Sequence, residues 1–305
     1  MNKTPKINRL FLVTVIWILL SGIFLGFIPF VRSMDATQLM LLSQLLYLMP
    51  VIGFMIINKV DPRKWMPFKP LKLSVIAMVI LYAVLMIPVT SWLNLLSMLF
   101  VRNAFESSQS ELTQNALWVN MIVMAVIPPI CEEFTFRGLY YNGYRQRGVW
   151  CAILGSALAF GLMHMNFNQF LYTFVFGMIL VFMMEATGSI VTSMICHFLL
   201  NLNGVLLSGL NGSIRNASVS DAVQQSSNLA SQPKILLAGL LVWGVIAVFT
   251  TAGGCAIWIH LARKNGRLEL IQQKMNEAKR ERIVTPTLVI GMVLAVAFMV
   301  IIEIF

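Results

Sequence analysis

The chain has 305 residues, of which 58% are hydrophobic and 11% are charged, and its formal net charge is +10. This composition excludes a water-soluble globular protein, because the surface of such a protein would be too apolar to stay dispersed. The positive charge does not indicate a nucleic-acid partner, since basic loops that orient membrane spans and contact anionic lipid account for it.

Apolar stretches of about 17 to 25 residues, the length at which a helix crosses roughly 30 Å of hydrocarbon, recur along the whole chain. The first stretch is longer than a signal-peptide core and no Ala-x-Ala site follows it, so we interpret it as a retained helix. We therefore expect an all-α protein, a polytopic transmembrane helical bundle in the cell membrane. It has about nine predicted spans: Leu10–Phe30, Gln38–Ile57, Leu73–Phe100, Ala116–Tyr141, Trp150–Met165, Phe170–Ala186, Ser189–Leu207, Ile235–Leu261 and Pro286–Ile304.

Basic residues are distributed unequally between the two ends of these predicted spans. If residues 1–9 lie inside, 18 of the 22 Lys and Arg also fall inside. The exceptions are Arg32, Arg102, Arg215 and Lys234. Because cytoplasmic loops carry the excess of Lys and Arg in membrane proteins, this pattern predicts a cytoplasmic N-terminus and a C-terminus on the outside.

Polar stretches also separate several of the predicted spans. We expect Arg102–Asn115 and Ser208–Gln232 to be outside loops, the second of them flexible. The stretch Arg263–Arg282 mixes acids and bases at helical spacing and predicts a surface helix. The four cysteines have no CxxC spacing, so they indicate neither a disulfide framework nor a thiolate zinc site, and we expect small core residues.

Ionisable residues in or near the apolar spans are few, and each costs at least about 2.5 kcal/mol at the centre of a span. Such residues normally line a polar cavity or serve a function. We expect His260 and Glu303 to be interfacial, because they lie at span ends, and Glu185 to make a helix-end contact. The complete set is Glu132, Glu133, Arg137, His164, Glu185, His197, His260 and Glu303.

The stretch PPICEEFTFRG, residues 128–138, carries three of these charged residues. Glu133 and Arg137 are four residues apart, so on a helix they share a face and can form an ion pair. Glu132 is rotated by about 100° from its neighbour and must have a different partner. The preceding Pro128-Pro129 predicts a kink of the kind that is tolerated where a helix lines a cavity.

Two further stretches place polar groups in apolar helices. His164 ends AILGSALAFGLMH, with Phe160 one turn before it, and His197 and Asn201 share one helical face in HFLLN. Estimated helix rise places His164 roughly 8 Å nearer the outside than Glu132 and His197. We expect helix tilt, the Pro-Pro kink or an earlier start of the fifth span to close this gap.

Together these side chains offer a carboxylate, two imidazoles and an amide donor. A carboxylate with a histidine can deprotonate water, while an imidazole and a carboxamide can stabilise an oxyanion, which suits hydrolysis of an amide. Alternatively, Glu132, His164 and His197 form a familiar zinc ligand set with an open position for water. Residue types alone leave both interpretations open.

Three motifs connect the chain to a known family. EEFTFR fits Glu-Glu-x-x-x-Arg, FGLMH fits Phe-x-x-x-His and HFLLN fits His-x-x-x-Asn, in that order and on three predicted helices. On these motifs the chain resembles the CAAX protease and bacteriocin-processing family (CPBP or Abi) of intramembrane proteases, relatives of the type II CAAX prenyl endopeptidase. The resemblance covers residues 116–207, about a third of the chain.

The resemblance implies a role for each motif residue. Glu132 and His164 would activate the attacking water, His197 and Asn201 would form the oxyanion site, and Glu133 with Arg137 would support the active helix. Better understood members of the family resemble glutamate proteases that need no metal, so we expect no cofactor, with zinc as the alternative.

The implied enzyme is an intramembrane endopeptidase acting on membrane-associated or lipid-modified peptides or proteins. We expect a cavity open to lipid or cytoplasm, and three parts of the chain: N-terminal helices in 1–115, a four-helix protease core in 116–207, and a loop, a basic helix and the last spans in 208–305. The expected partners are the substrate and membrane lipid. A non-catalytic scaffold or regulator is the alternative function, and an ion or proton transporter is a third.

Overall fold

The computed structural model describes residues 3–101, 116–216, 233–276 and 283–304, which are helical and contain no strand. This confirms the predicted all-α fold. Besides the single turns Pro29–Arg32 and Pro62–Trp65, ten longer helices follow one another through these ranges: α1 Thr4–Leu25, α2 Ala36–Ile57, α3 Leu73–Ser97, α4 Leu117–Arg147, α5 Val149–Met163, α6 Phe167–Thr187, α7 Ile190–Asn216, α8 Pro233–Lys264, α9 Leu268–Asn276 and α10 Pro286–Ile304.

Eight of these helices are long and apolar enough to cross a membrane, so the chain is a multi-pass membrane protein. The one predicted span that is not among these eight, Trp150–Met165, corresponds to α5. This helix has 15 residues and a length of only about 22 Å at 1.5 Å per residue. Gly148 starts it with a φ of 115°, a conformation that glycine adopts easily. Its C-terminal end lies at His164, before the loop that leads to α6.

Helix α4 is not a regular α-helix. It is π-helical over Met121–Val126 and Phe134–Tyr141, on both sides of the segment Ile127–Glu133 that contains Pro128 and Pro129. Prolines have no N–H, so they interrupt the hydrogen-bond ladder of a helix. π-Helical turns in α-helices occur frequently at functional sites. In α4 the two π-helical stretches flank the segment that ends with Glu132 and Glu133.

Helices α4 to α7 form the centre of the bundle. Among the candidate spans α6 is the most buried, with 61% of its apolar window inside the protein, whereas α8 has 6% and presents most of its surface outward. Helix α8 packs on α3, α3 packs on α6 and α7, and α1 lies between α2 and α10.

One end of the bundle, here called the basic end, is where α1, α3, α5, α7 and α10 begin and where α2, α4, α6 and α8 finish. Polar contacts join its loops and helix termini. Lys6 donates to Asn58 at 2.8 Å, and the Ser189 hydroxyl donates to the Lys69 carbonyl at 2.9 Å. Asn8 accepts from the Tyr144 hydroxyl at 2.7 Å and donates to the Ile283 carbonyl at 2.8 Å. The opposite end is called the far end.

Glu185 is the buried acceptor at the centre of the basic end. Its carboxylate accepts a hydrogen bond from Tyr141 at 2.8 Å and forms ion pairs with Arg145 and Arg267, each at 3.0 Å. These contacts join α4 and α6 to the turn before α9. The structure therefore shows Glu185 in a helix-end contact, as predicted, and a buried charge that is paired in this way is tolerated.

The structure corrects two predicted boundaries. Helix α7 continues to Asn216, so the first part of the predicted loop Ser208–Gln232 is helical, and residues 217–232 lie outside the described residues. The predicted surface helix Arg263–Arg282 is divided by a turn at Gly266, where φ is 61°, into the end of α8 and the separate helix α9. Residues 277–282 and the predicted loop 102–115 are also outside the described residues.

The close approach of α1 and α4 at the basic end generates a first prediction. A Cβ atom added at Gly143 would lie 2.2 Å from Cγ1 of Ile7, which is itself fully buried. We expect Gly143→Ala to destabilise the protein by about 1 to 3 kcal/mol, because overpacking forces neighbours out of place. Thermal unfolding of the purified protein in detergent measures this.

Gly53→Ala in α2 is the matched control, because a Cβ there meets nothing within 4 Å and alanine is the better helix former. It should leave the unfolding temperature unchanged or raise it. Equal losses in the two variants would contradict the described packing of α1 on α4.

Candidate active site

Glu133 and Arg137 form a buried ion pair, as their spacing predicts. Arg137 Nη1 lies 3.0 Å from Glu133 Oε1, and the exposed fractions of the two side chains are 1% and 0%. Arg137 Nη2 donates to the Gly177 carbonyl at 3.2 Å, and the guanidinium stacks 4.5 Å from the centre of the Phe160 ring. The pair joins α4 to α5 and α6 and neutralises two charges that would be costly in the membrane if isolated.

Gly177 permits this junction because α5 and α6 approach each other closely there. A Cβ at this position would lie 3.0 Å from Cα of Ala157 and 3.2 Å from the Phe160 ring. Contacts of this length are too tight for an ordinary side chain. Because Gly177 has no side chain, its carbonyl can reach Arg137 while the Phe160 ring packs over the guanidinium.

Glu133 has a second partner that the sequence reasoning missed. His197 Nδ1 donates to Glu133 Oε1 at 2.9 Å, and the histidine is buried. This bond orients the ring and directs Nε2 toward Glu132, whose Oε2 lies 3.6 Å away. The His197–Glu133 pair joins residues 64 positions apart, and no local spacing could have indicated it.

Glu132 points away from its neighbour, as predicted, and its side chain is 14% exposed. The distance of 3.6 Å to His197 is too long for a direct hydrogen bond. The carboxylate of Glu132 therefore keeps acceptor capacity for a molecule in the adjacent cavity.

His164 lies at the C-terminal end of α5, and its ring orientation is also set by a hydrogen bond. Nδ1 donates to the Phe160 carbonyl at 2.8 Å. In the neutral ring Nε2 is then the nitrogen that can accept a proton. Because the Phe160 carbonyl oxygen can only accept a hydrogen bond, the proton of the neutral His164 ring lies on Nδ1.

Aromatic rings hold both imidazoles in place. Phe160 meets the His164 ring edge to face at 4.8 Å and the His197 ring at 5.7 Å, and Phe176 meets His197 at 5.2 Å. Edge-to-face contacts of this kind favour one ring orientation over others. Phe176 was not a predicted site residue, since one phenylalanine in an apolar helix carries no distinguishing signal.

Asn201 is positioned by a carbonyl that Pro128 and Pro129 leave without a helical partner. In a regular α-helix the N–H of residue 128 would donate to the Met124 carbonyl, and in a π-helix that of residue 129 would do so. Both residues are prolines and have no N–H. Asn201 Nδ2 donates to this carbonyl instead, at 3.1 Å.

The structure brings the four predicted catalytic residues to the wall of one cavity of about 410 Å³, here called the polar chamber. The depth difference of about 8 Å estimated from helix rise does not separate them. Glu132, His164, His197 and Asn201 line it with amide and hydroxyl side chains from α3, α6 and α7: Thr90, Ser91, Asn94, Asn168, Gln169, Thr173 and Asn203.

A second cavity of about 400 Å³, the apolar chamber, adjoins the same carboxylate and imidazole. Its walls include Ile18, Leu46, Phe136 and Met163. Three residues line both chambers, namely Gln44, Glu132 and His164. Sequence reasoning missed Gln44, because a single amide near the start of an apolar helix is not distinctive.

The alternative zinc ligands, Glu132, His164 and His197, do not form a metal-binding group. Within the described residues no set of three or more His, Cys, Asp or Glu side chains is placed to hold a metal ion. The Nδ1 atoms of both histidines are engaged, one by the Phe160 carbonyl and the other by Glu133. Histidines that bind a metal through Nε2 commonly have the same Nδ1 bonds, so these bonds are compatible with either interpretation.

The remaining ionisable residues lie elsewhere. His260 is exposed on α8, Glu303 lies in the last turn of α10, and neither lines a chamber. The four cysteines are free, and Cys255 is exposed on α8, which corrects the expectation that all of them are core residues.

Comparison with known proteins supports the motif assignment. Residues 114–203 match the family described as type II CAAX prenyl endopeptidase Rce1-like, and this confirms the predicted resemblance. The match spans α4, α5, α6 and the part of α7 that carries His197 and Asn201. It indicates a membrane-embedded protease of the CAAX type. Neither a curated protein nor a solved structure matches the chain.

The different surroundings of the adjacent carboxylates generate a prediction about stability. Glu133→Gln leaves the buried Arg137 guanidinium without its counter-charge, which costs about 3 to 5 kcal/mol when a buried pair is broken. Glu132→Gln removes a carboxylate that faces a cavity, so we expect a much smaller effect. Thermal unfolding in detergent compares the two variants, and a larger loss for Glu132→Gln would contradict the assignment of the ion pair.

Proposed function

We propose that the chain is an intramembrane endopeptidase that hydrolyses peptide bonds of membrane-associated or lipid-modified substrates with a water activated by Glu132 and His164. The observation that carries this proposal is the common cavity wall formed by the carboxylate, the two imidazoles and the carboxamide. The match of this segment to a CAAX-type protease family supports the same reaction class.

Water activation falls to Glu132 and His164, two of the three residues that line both chambers. Glu132 is free to accept from water because Glu133 takes the ion pair with Arg137. His164 presents Nε2 as a second acceptor, since its Nδ1 proton is held by the Phe160 carbonyl. The water oxygen attacks the carbonyl carbon, its proton passes to one of these bases, and that base then protonates the leaving amine as the C–N bond breaks.

The oxyanion of the tetrahedral intermediate would lie against His197 and Asn201. One N–H of the Asn201 amide is used by the Met124 carbonyl, and the other remains available. Protonated His197 donates from Nε2 while Nδ1 stays bonded to Glu133. Donors held in advance by their own hydrogen bonds stabilise developing charge without reorganisation.

We propose that this hydrolysis requires no metal ion, because the acid, base and oxyanion roles are all filled by side chains. The apolar chamber beside Glu132 would receive an apolar side chain or lipid group of the substrate. For the protein as a whole we propose the cell membrane with a cytoplasmic N-terminus, since 18 of the 22 Lys and Arg lie at the basic end or on the basic-end side of the predicted spans.

The catalytic assignment predicts that Glu132→Gln and His164→Ala lower kcat by at least about 10²-fold, the usual contribution of general acid–base catalysis. The purified protein in detergent is incubated with farnesylated and unmodified peptide libraries, and mass spectrometry identifies the products. Asn203→Ala, in the same chamber wall, is the matched control and should retain turnover.

Unchanged unfolding temperatures show that lost activity reflects chemistry and not misfolding. Activity of the wild-type protein should persist in a metal chelator; loss on chelation with recovery on adding Zn²⁺ would contradict the metal-free mechanism. If a cellular effect of the chain survives Glu132→Gln, the regulator interpretation is correct and the protease proposal is wrong.

The prolines of α4 generate a separate prediction about Asn201. Replacing both Pro128 and Pro129 by Ala restores N–H groups that compete for the Met124 carbonyl, so Asn201 loses its anchor. We expect kcat to fall by up to about 10²-fold, the lower range for loss of an oxyanion donor, with a smaller change in KM. Pro50→Ala in α2, which lines neither chamber, is the control.

A mutant cycle separates this effect from general damage to α4. In the Asn201→Ala background the double proline replacement should cause little further loss, because residues that act through one contact are not additive. Fully multiplicative losses would show that the prolines do not act through Asn201.

A further inference from the structure

The polar chamber extends from the catalytic residues in one direction only. Each contributing helix lines it with the part that lies between the catalytic residues and the far end. Met40 and Gln44 are near the start of α2, Asn94 is near the end of α3, and Gln169 is near the start of α6. On α7 the lining residues run from His197 to Val205, away from the basic end.

In the opposite direction α4 closes the path with large buried side chains. Arg137, Tyr140, Tyr141 and Tyr144 follow Glu133 toward the basic end, and each has an exposed fraction of 1% or less. Beyond them the network around Glu185 and the loop contacts of the basic end complete the closure. In the described residues, therefore, both chambers are separated from the basic end by packed protein.

The basic end is also the end that carries the positive charge. Apart from Arg137, which is paired with Glu133 inside the bundle, 17 of the 22 Lys and Arg fall on its side of the predicted spans. Under the rule that cytoplasmic segments carry this excess, the basic end faces the cytoplasm and the far end faces the opposite side. With this orientation the polar chamber would extend away from the cytoplasm, in contrast to the expected cavity open to lipid or cytoplasm.

We propose that the active site is entered from the non-cytoplasmic face and that its substrates are peptide segments presented on that side of the membrane. This inference rests on the proposed peptidase function. It assigns a substrate class different from cytoplasmic lipid-modified C-termini, because such a terminus would have to cross the bilayer to reach Glu132.

The lining of the polar chamber indicates the chemistry of the segment that binds there. Its amides and hydroxyls are neutral, and no Lys or Arg side chain lines it among the described residues. Gln44 Oε1, at the wall shared by both chambers, is buried and has no hydrogen-bond partner. Neutral amides pair with backbone N–H and C=O groups, so the chamber suits peptide backbone and offers no counter-charge to an acidic segment.

Cysteine labelling in intact cells tests the entrance independently of catalysis. Gln169→Cys and Asn203→Cys are introduced one at a time into the full chain, in which Cys131, Cys151 and Cys255 are replaced by Ala and the buried Cys196 is kept. The probe is a small, membrane-impermeant anionic methanethiosulfonate. Lys64→Cys, at an exposed position of the basic end, is the matched control.

We expect the probe to label the two chamber variants in intact cells and to label Lys64→Cys only after permeabilisation, with at least about a tenfold difference in rate, the ratio that corresponds to 1.4 kcal/mol. The proposal would be overturned if the chamber variants were labelled only after permeabilisation, or if the chamber variants and Lys64→Cys were labelled under the same condition. This readout does not depend on peptidase activity.

A second experiment uses the unaltered chain, so that it does not depend on how cysteine variants fold. Sealed right-side-out and inverted membrane vesicles receive the unmodified, membrane-impermeant peptide that is cleaved fastest in detergent, and Glu132→Gln vesicles are the blank. Right-side-out vesicles should cleave it and inverted ones should do so only after detergent is added. Cleavage confined to inverted vesicles contradicts the entrance, whereas no cleavage in detergent contradicts the peptidase function and leaves the labelling result to decide the entrance.

Discussion

The buried ion pair between Glu133 and Arg137 is the constraint on which the site depends. An isolated carboxylate or guanidinium in a membrane helix is costly, so each must be neutralised where it lies. Once Arg137 satisfies Glu133, the same carboxylate can orient His197, and Glu132 is left to face the chamber. Two adjacent, chemically identical residues thus acquire different tasks because successive positions on a helix point in directions about 100° apart.

A second constraint is that backbone groups in the membrane need partners. A carbonyl without a donor is expensive in a medium that holds no water, and irregular helices persist only where protein or a water-filled cavity satisfies them. Pro128 and Pro129 deprive the Met124 carbonyl of its helical donor, and Asn201 supplies a replacement from α7. The irregularity of α4 is therefore also the means by which a side chain on another helix is held beside the carboxylates.

Sequence reasoning recovered features that depend on local periodicity. The all-α fold, the Glu133–Arg137 pair and the shared face of His197 and Asn201 follow from helical spacing, and these patterns do not require knowledge of the tertiary fold. It could not recover the bond between Glu133 and His197 or the position of Gln44, since both depend on how α2, α4 and α7 meet. The predicted span Trp150–Met165 agrees with α5 to within two residues at each end, because the apolar run and the helix both stop at the turn around His164.

The packed side chains between Glu133 and the basic end also bear on the transporter interpretation. A transporter that used these carboxylates and imidazoles would have to open a polar path to each face of the membrane in turn. Toward the basic end, however, the described path is filled by buried tyrosines and by Arg137, which is held by Glu133 and a backbone carbonyl. Opening it would break the ion pair that positions His197. Under the proposed function, water that enters from one side would reach Glu132 and His164 without creating a route for protons across the bilayer.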